Sequence, residues 1–235
     1  MPKAIKKKVV KPAKAEEGVK DVFFGTRDYI SERQKIFLPV MIAVVVISIA
    51  VAGFFIYRSH AGSKARSLEY EGYKIYYGLY QKQPLQKEER YQKALEKFRE
   101  AYSLRKSAYS LYYAASCLNE MGKYDEALKN LKELNERFSD DEVLVPLSHH
   151  KIAGISLRKG DREAALKSLD TLYNYRTAAL RDLALIESAR ILEAMGKTAE
   201  SSKKYEEIAK NFPASPFAGE AQAKLGPKKE TPAKP

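Results

Sequence analysis

Apolar and polar positions fall into two regimes along the chain. From Ile36 to Tyr57, IFLPVMIAVVVISIAVAGFFIY, no charged residue occurs over 22 positions. At a rise of ~1.5 Å per residue, a helix of that length crosses a hydrocarbon layer of ~30 Å. From about Ala65 to Leu225, apolar residues recur at spacings of three and four and are interrupted at short intervals by Gly, Pro or Asp, with hardly a strand signal. The pattern predicts an all-α protein: one transmembrane helix followed by a solenoid of α-helical hairpins.

The hairpin region repeats itself. Ala94, Phe98 and Ala101 superpose on Ala127, Leu131 and Leu134, then on Ala165, Leu169 and Leu172, then on Ser201, Tyr205 and Ile208, with shifts of 33, 38 and 36 residues. A small residue, a large one four on and a third three further on lie along one helical stripe, and the small member lets the neighbouring helix approach. The turn before the stripe recurs as MGKYDEA at Met121 to Ala127, RKGDREAA at Arg158 to Ala165 and AMGKTAES at Ala194 to Ser201. Gly122, Gly160 and Gly196 are predicted to supply the left-handed residue that ends one helix and reverses the chain. Leu111, Ala114, Ala115 and Leu118 correspond to Leu185, Ser188, Ala189 and Leu192, with a weaker version at His149, Ile152, Ala153 and Ser156.

Composition narrows the function. With 235 residues, 45% of them hydrophobic, the chain builds one substantial core. The net charge of +12 is uneven, since residues 1–35 carry +5 and residues 36–225 only a further +5 over far more surface. Nucleic-acid binding therefore does not follow from the charge. A single cysteine, Cys117, excludes an internal disulfide and any thiolate cluster, and on a packed helix it reads as a buried, inert thiol. Adjacent His149 and His150 point ~100° apart on a helix and do not converge on one ion. Paired carboxylates such as Asp140-Asp141 and Glu206-Glu207 fall at turns or on solvated faces. No phosphate loop, HExxH or GxSxG motif is present. The chain reads as a binding protein and not an enzyme, with no cofactor and no metal.

The apolar run reads as an uncleaved anchor. A core helix of this length would carry polar residues on one face, and a signal peptide cleaved near Ser59-His60-Ala61 would have a shorter apolar run after a short basic segment. Basic residues within 20 positions of its ends are evenly divided (Lys20, Arg27, Arg33 and Lys35 before, Arg58, Lys64, Arg66 and Lys74 after), while Lys3, Lys6, Lys7, Lys8, Lys11 and Lys14 favour a cytoplasmic N-terminus. The expected organisation is a disordered basic tail over 1–35, a transmembrane helix over 36–57, a Tyr-rich juxtamembrane helix and linker over 58–90, repeats over 91–225 and a disordered tail over 226–235.

The order of apolar, small pair, apolar, Gly, small, aromatic or aliphatic, then Phe-Pro as at Phe212-Pro213, resembles the tetratricopeptide repeat over about residues 91 to 225. The closing NFPASPFAGEAQAKLG, Asn211 to Gly226, is similar to repeat endings of bacterial envelope proteins, with Ser215 expected to cap a helix opening at Pro216. As a whole, a short tail, one membrane helix, a tyrosine-rich helix and these repeats resemble the single-pass ancillary subunit of the bacterial SecYEG translocon. That resemblance implies an inner-membrane protein with periplasmic repeats, partnered by the SecYEG translocon, a periplasmic chaperone and exported polypeptides. The alternatives are a structural scaffold for envelope assembly or, with inverted topology, a cytosol-facing receptor for targeting peptides.

Solenoids of this kind bind peptides along the face lined by the first helix of each pair. Following the repeat register, the expected exposed positions are Tyr109, Tyr112, Ser116 and Asn119, then Leu147, His150 and Leu157, then Leu183, Ile186, Arg190 and Glu193. Tyr109, Tyr112, Asn119, His150, Leu183, Ile186 and Arg190 are the candidate protein-binding residues. Tyr70, Tyr73, Tyr77 and Tyr80 share a helical face predicted to pack on a helix bearing Tyr91, Leu95, Phe98 and Tyr102.

Overall fold

The computed structural model describes residues 34–79 and 85–226. Of the tails expected over 1–35 and 226–235, residues 1–33 and 227–235 lie outside the described residues, as does Tyr80. Those described residues form helices and turns with no strand. The helices are α1 (Gln34–Tyr77), α2 (Lys87–Leu104), α3 (Ala108–Glu120), α4 (Tyr124–Arg137), α5 (Leu144–Arg158), α6 (Arg162–Tyr173), α7 (Arg181–Ala194), α8 (Thr198–Asn211) and α9 (Ala218–Leu225).

Two units divide the chain at Ser59. The described part of the first is the apolar stretch of α1, which is long and apolar enough to cross a membrane. Its large side chains stand free, Ile49 and Ile56 being 68% and 65% exposed. The one internal hydroxyl of the run, on Ser48, donates to the Val44 carbonyl at 2.8 Å, so it makes no demand on its surroundings. Pro39 lies inside the helix.

The second unit starts at His60 and is the hairpin array. Helices α3 and α4, α5 and α6, and α7 and α8 pack as antiparallel pairs, with α9 against α8. Every stripe residue read from the sequence is buried: Ala94, Phe98, Ala101, Ala127, Leu131, Leu134, Ala165, Leu169, Leu172 and Ile208 are fully enclosed, and Ser201 and Tyr205 are 2% and 3% exposed. Ser201, where the other pairs have alanine, satisfies its hydroxyl by donating to the Ala189 carbonyl of the preceding helix at 2.9 Å.

The repeated glycines end the first helices as predicted. Gly122, Gly160 and Gly196 have φ of +73°, +82° and +73°. In each turn the glycine N–H bonds the carbonyl three back, and the next N–H bonds the carbonyl five back: Lys123 to Leu118 at 2.8 Å, Asp161 to Ser156 at 2.9 Å and Lys197 to Leu192 at 2.9 Å. This paired closure satisfies the last carbonyls of α3, α5 and α7 and turns the chain into the second helix. Asp161 then caps α6, accepting from the Ala164 N–H at 2.9 Å.

Residues 60–77 of α1 dock on α2 and α3, in a different phase from the tyrosine face expected. The inward positions are Ala65, Leu68 and Gly72, with Tyr73 and Tyr76 beside them, while Tyr70 and Tyr77 are 59% and 51% exposed. The phase is set by the close fit of Gly72 on Phe98. Tyr76 meets Tyr91 and Tyr113 at ring separations of 5.3 and 5.8 Å, and Tyr73 meets Tyr113 at 5.7 Å. Glu69 receives hydrogen bonds from Ser107 and, at 2.7 Å, from Ser110. Ser107 itself caps α3 by accepting from the Ser110 N–H at 3.1 Å.

The last helix starts later than expected. Ser215 accepts from the Phe217 N–H at 3.2 Å and donates to Asp182 at 2.7 Å, and α9 begins at Ala218. Its hydroxyl is drawn toward α7, so Pro216 sits in the turn before the helix.

Candidate functional site

The first-helix face carries an open groove of about 190 Å³ between α3 and α5. Tyr112 and Asn119 line it from α3; His150, Lys151, Gly154, Ile155 and Arg158 line it from α5. Antiparallel pairing of each first helix with its own second helix leaves α3 and α5 side by side, and their outward residues form the walls.

The aromatic wall belongs to a larger cluster. The Tyr113 ring stacks on Phe98 at 5.3 Å, and Tyr109 and Tyr112 lie 4.5 and 5.5 Å from Tyr113. Burial pushes the Tyr109 hydroxyl up to about 12 and also raises that of Tyr112. Both phenols are therefore neutral donors at physiological pH, with an apolar ring and a polar tip.

The polar wall is basic. Arg158 donates to the Asn119 side-chain oxygen Oδ1 at 3.2 Å, and the Asn119 side-chain nitrogen donates to Glu120 at 3.4 Å. Glu120 also pairs with Lys87 at 3.7 Å. The Lys151 ammonium lies 4.9 Å from the centre of the Tyr112 ring, a cation–π placement. Burial holds its pKa below the usual lysine value, with Glu120 opposing the shift and Arg158 adding to it. Among the described residues Lys151 has no carboxylate within ion-pair distance. His150 faces α7 and contacts Glu187 at 2.9 Å.

The candidates read from the sequence divide accordingly. Tyr112, Asn119 and His150 meet in this groove, and Tyr109 stands in the adjoining aromatic cluster. Ile186 is fully enclosed, packed with Leu185, Ala189 and Tyr205, so its expected exposure is corrected. Ser116 and Asn119, at 2% and 8% exposure, are corrected likewise, Asn119 lining the groove as a buried side chain. Leu183 packs half-buried against the same core. Arg190 is held by Glu220 of α9 through bonds of 2.9 and 2.5 Å, and Glu193 accepts from Lys224 at 2.6 Å. Toward the C-terminus, then, these first-helix positions serve the packing of α7, α8 and α9.

Lys151, Gly154 and Arg158 were missed because the stripe on α5 was traced through Leu147, His150 and Leu157. The groove-facing stripe lies one position on, and its signal was the glycine between two basic residues at spacings of three and four. Elsewhere His149 turns away from His150, toward Asn135. Burial pushes the Cys117 thiol up to about 12, leaving it protonated and unreactive.

Paired helices in register, each closed by the same glycine turn and offering a first-helix face with a groove, define an α-hairpin repeat protein of the kind that serves as a scaffold for protein interactions. The family model described as "Tetratricopeptide repeat-like domain" matches residues 37–226, and the chain belongs to that family. Among solved structures, it is similar to one from Podospora anserina described as "putative kinesin light chain nearly identical TPR-like repeats". The identity is 16% and the TM-score 0.52, covering 70% of this chain and 84% of that one, which is a likeness of fold. No curated protein matches the chain in sequence.

Proposed function

We propose that the protein is a single-pass membrane protein whose repeats bind polypeptides through the groove between α3 and α5. The observation that carries this reading is the groove itself: neutral tyrosines and a desolvated ammonium along an open first-helix face, in a family whose repeats are typically interaction scaffolds. The exposed apolar span of α1 supports an anchor. Anchoring raises the effective concentration of the repeats at one membrane site, so contacts of modest affinity suffice.

The finer reading is a cytoplasmic N-terminus, repeats in the periplasm, and work beside the SecYEG translocon and a periplasmic chaperone on exported polypeptides. It is supported by the lysine-rich sequence before the span and by the resemblance of the whole arrangement to the translocon's ancillary subunit. A photoreactive residue at position 112, activated in intact cells, is expected to yield adducts with exported polypeptides or translocon subunits. Adducts only with envelope-assembly components would replace this reading by a scaffold. Protease digestion of the repeats from the cytoplasmic side of sealed vesicles would reverse the topology.

A further inference from the structure

The geometry points to a small-molecule site on the layer of second helices. The slot between α6 and α8 binds a free α-amino acid of the size of threonine, with its side-chain hydroxyl on Ser188, its ammonium at Asp170 and Glu200, and its carboxylate at Lys204. This site lies apart from the groove between α3 and α5 and does not depend on it.

The slot is a gap in a row of bridges. Helices α6 and α8 both pack on α7, and residues 34 apart join them across it: Lys197 pairs with Glu163 at 3.1 Å at one end, and Tyr173 donates to Glu207 at the other. By the same offset Asp170 stands opposite Lys204 and Leu166 opposite Glu200. Yet Asp170, Glu200 and Lys204 have no ion-pair partner among the described residues. Beneath them is an open space of about 170 Å³ with Leu169, Leu185 and Leu192 in its walls. That is well below the ~300 Å³ at which pockets for larger ligands begin, so the occupant is small.

Ser188 of α7 lines the slot, is only 7% exposed and has no hydrogen-bond partner among the described residues. Its hydroxyl does not return to the carbonyl four residues back, as those of Ser116 and Ser168 do at 2.8 and 2.9 Å. The repeat register puts Ala114 of α3 and Ile152 of α5 at the same position, both packed into the apolar core. A buried hydroxyl without a partner costs stability, and a ligand hydroxyl set against it supplies the missing bond, because serine both donates and accepts. The mouth of the slot fixes the rest. The Lys204 ammonium lies 5.7 Å from the centre of the Tyr173 ring, with the Arg181 guanidinium at the same distance from that ring, so this end meets a carboxylate. Asp170 and Glu200 meet an ammonium. A plain cation would face Lys204 and a plain anion would face two carboxylates, so only a zwitterion is matched on both sides.

The test titrates the full-length protein in detergent micelles with L-threonine by calorimetry. Three relatives each lack one group: valine the hydroxyl, threonine amide the carboxylate, and 3-hydroxybutyrate the ammonium. Threonine is expected to bind saturably, and each relative about tenfold more weakly, since a site built to bond a group rejects the analogue without it. Ser188→Ala, the residue type α3 carries at that position, is expected to leave the melting temperature of the free protein no lower while making threonine and valine equal. Lys204→Met is expected to make threonine and its amide equal. Absence of saturable threonine binding, or valine binding as tightly as threonine, overturns the proposal. So does a preference for threonine over valine that survives Ser188→Ala. Threonine amide binding the unaltered protein as tightly as threonine would assign the slot to polypeptide N-termini and not to free amino acids, which overturns it as well.

Discussion

Gly72 of α1 lies under the far edge of the Phe98 ring of α2, so close that a Cβ on Gly72 would meet three ring carbons at 2.9 to 3.1 Å. Phe98 is fully enclosed and stacked on Tyr113, so it has little freedom to withdraw. The C-terminal end of α1 thus takes part in the core of the repeats, and its glycine is there for contact and not for a turn.

Gly72→Ala is accordingly expected to destabilise the repeat unit by about 1–3 kcal/mol, as overpacking does in a close-packed core, despite the better helix propensity of alanine. Phe98→Leu, destabilising by itself, should recover part of the loss when combined with Gly72→Ala. Chemical denaturation of the two single variants and the double variant checks this, since strictly additive losses would mean that the two residues do not press on each other.

Leu131 and Leu169 occupy equivalent stripe positions in α4 and α6, both fully buried but in different apolar clusters. Truncating either to alanine should destabilise by roughly 2–5 kcal/mol. Because each hairpin mainly contacts its neighbours, the effects should be local. Hydrogen exchange should show Leu131→Ala loosening α3 and α4 before α8, and Leu169→Ala loosening α5 and α6 first. Uniform loosening by both variants would contradict a modular array.

The stripe and the glycine turns were legible in the sequence because each is a local rule repeated in register: Ala127, Leu131 and Leu134 recur as Ala165, Leu169 and Leu172, and Gly122 as Gly160. The phase of α1 was not legible. Four tyrosines at helical spacing outweighed one glycine in the pattern, yet the close approach at Gly72 decides which face turns in, leaving Tyr70 outside. Ile186 was misread as exposed because the register of α3 was carried onto α7, where Tyr205 of α8 and Ala221 of α9 cover it. Leu180, with φ +63° at the start of α7, carried no glycine or asparagine to announce its left-handed backbone. In the groove Tyr112, Asn119 and His150 came from the repeat register, whereas Lys151 needed the helix phase.

Burial lowers the pKa of His149 from its ordinary 6.5. Its Nε2 lies 3.5 Å from the Asn135 side-chain nitrogen, while the Asn135 oxygen is taken by Ser148, so a neutral ring nitrogen is what faces the amide donor. The unfolded chain binds this proton near 6.5 and the folded chain resists it, so the folded state loses stability as pH falls from about 6.5 toward the depressed value, and gains nothing further above it. Denaturation midpoints across pH 5 to 8 should show this decline, and His149→Gln should flatten it. An unchanged slope in that variant would assign the dependence to other groups.

The C-terminal helix α9 is held by charge to an unusual extent, because its inward residues, Ala218 and Ala221, are small. Arg190 donates two bonds to Glu220, and Lys224 and Tyr205 both donate to Glu193, at 2.6 and 3.0 Å. These bonds hold both carboxyls below the usual value of 4.5: Arg190 acts on Glu220, and Lys224 with Tyr205 on Glu193. A carboxyl with a depressed folded pKa contributes stability that is present above its ordinary value and is lost as pH falls through the folded one. Amide protection over residues 218–225, taken relative to the intrinsic exchange rate at each pH, should therefore fall between pH 5 and 3 while α3 and α4 stay protected. Glu220→Gln should loosen the same helix already at pH 6 and reduce its acid dependence. If α9 stays protected in acid in both proteins, the contacts of Phe217 and Ala221 suffice to hold it, and the ion pairs only decorate the surface.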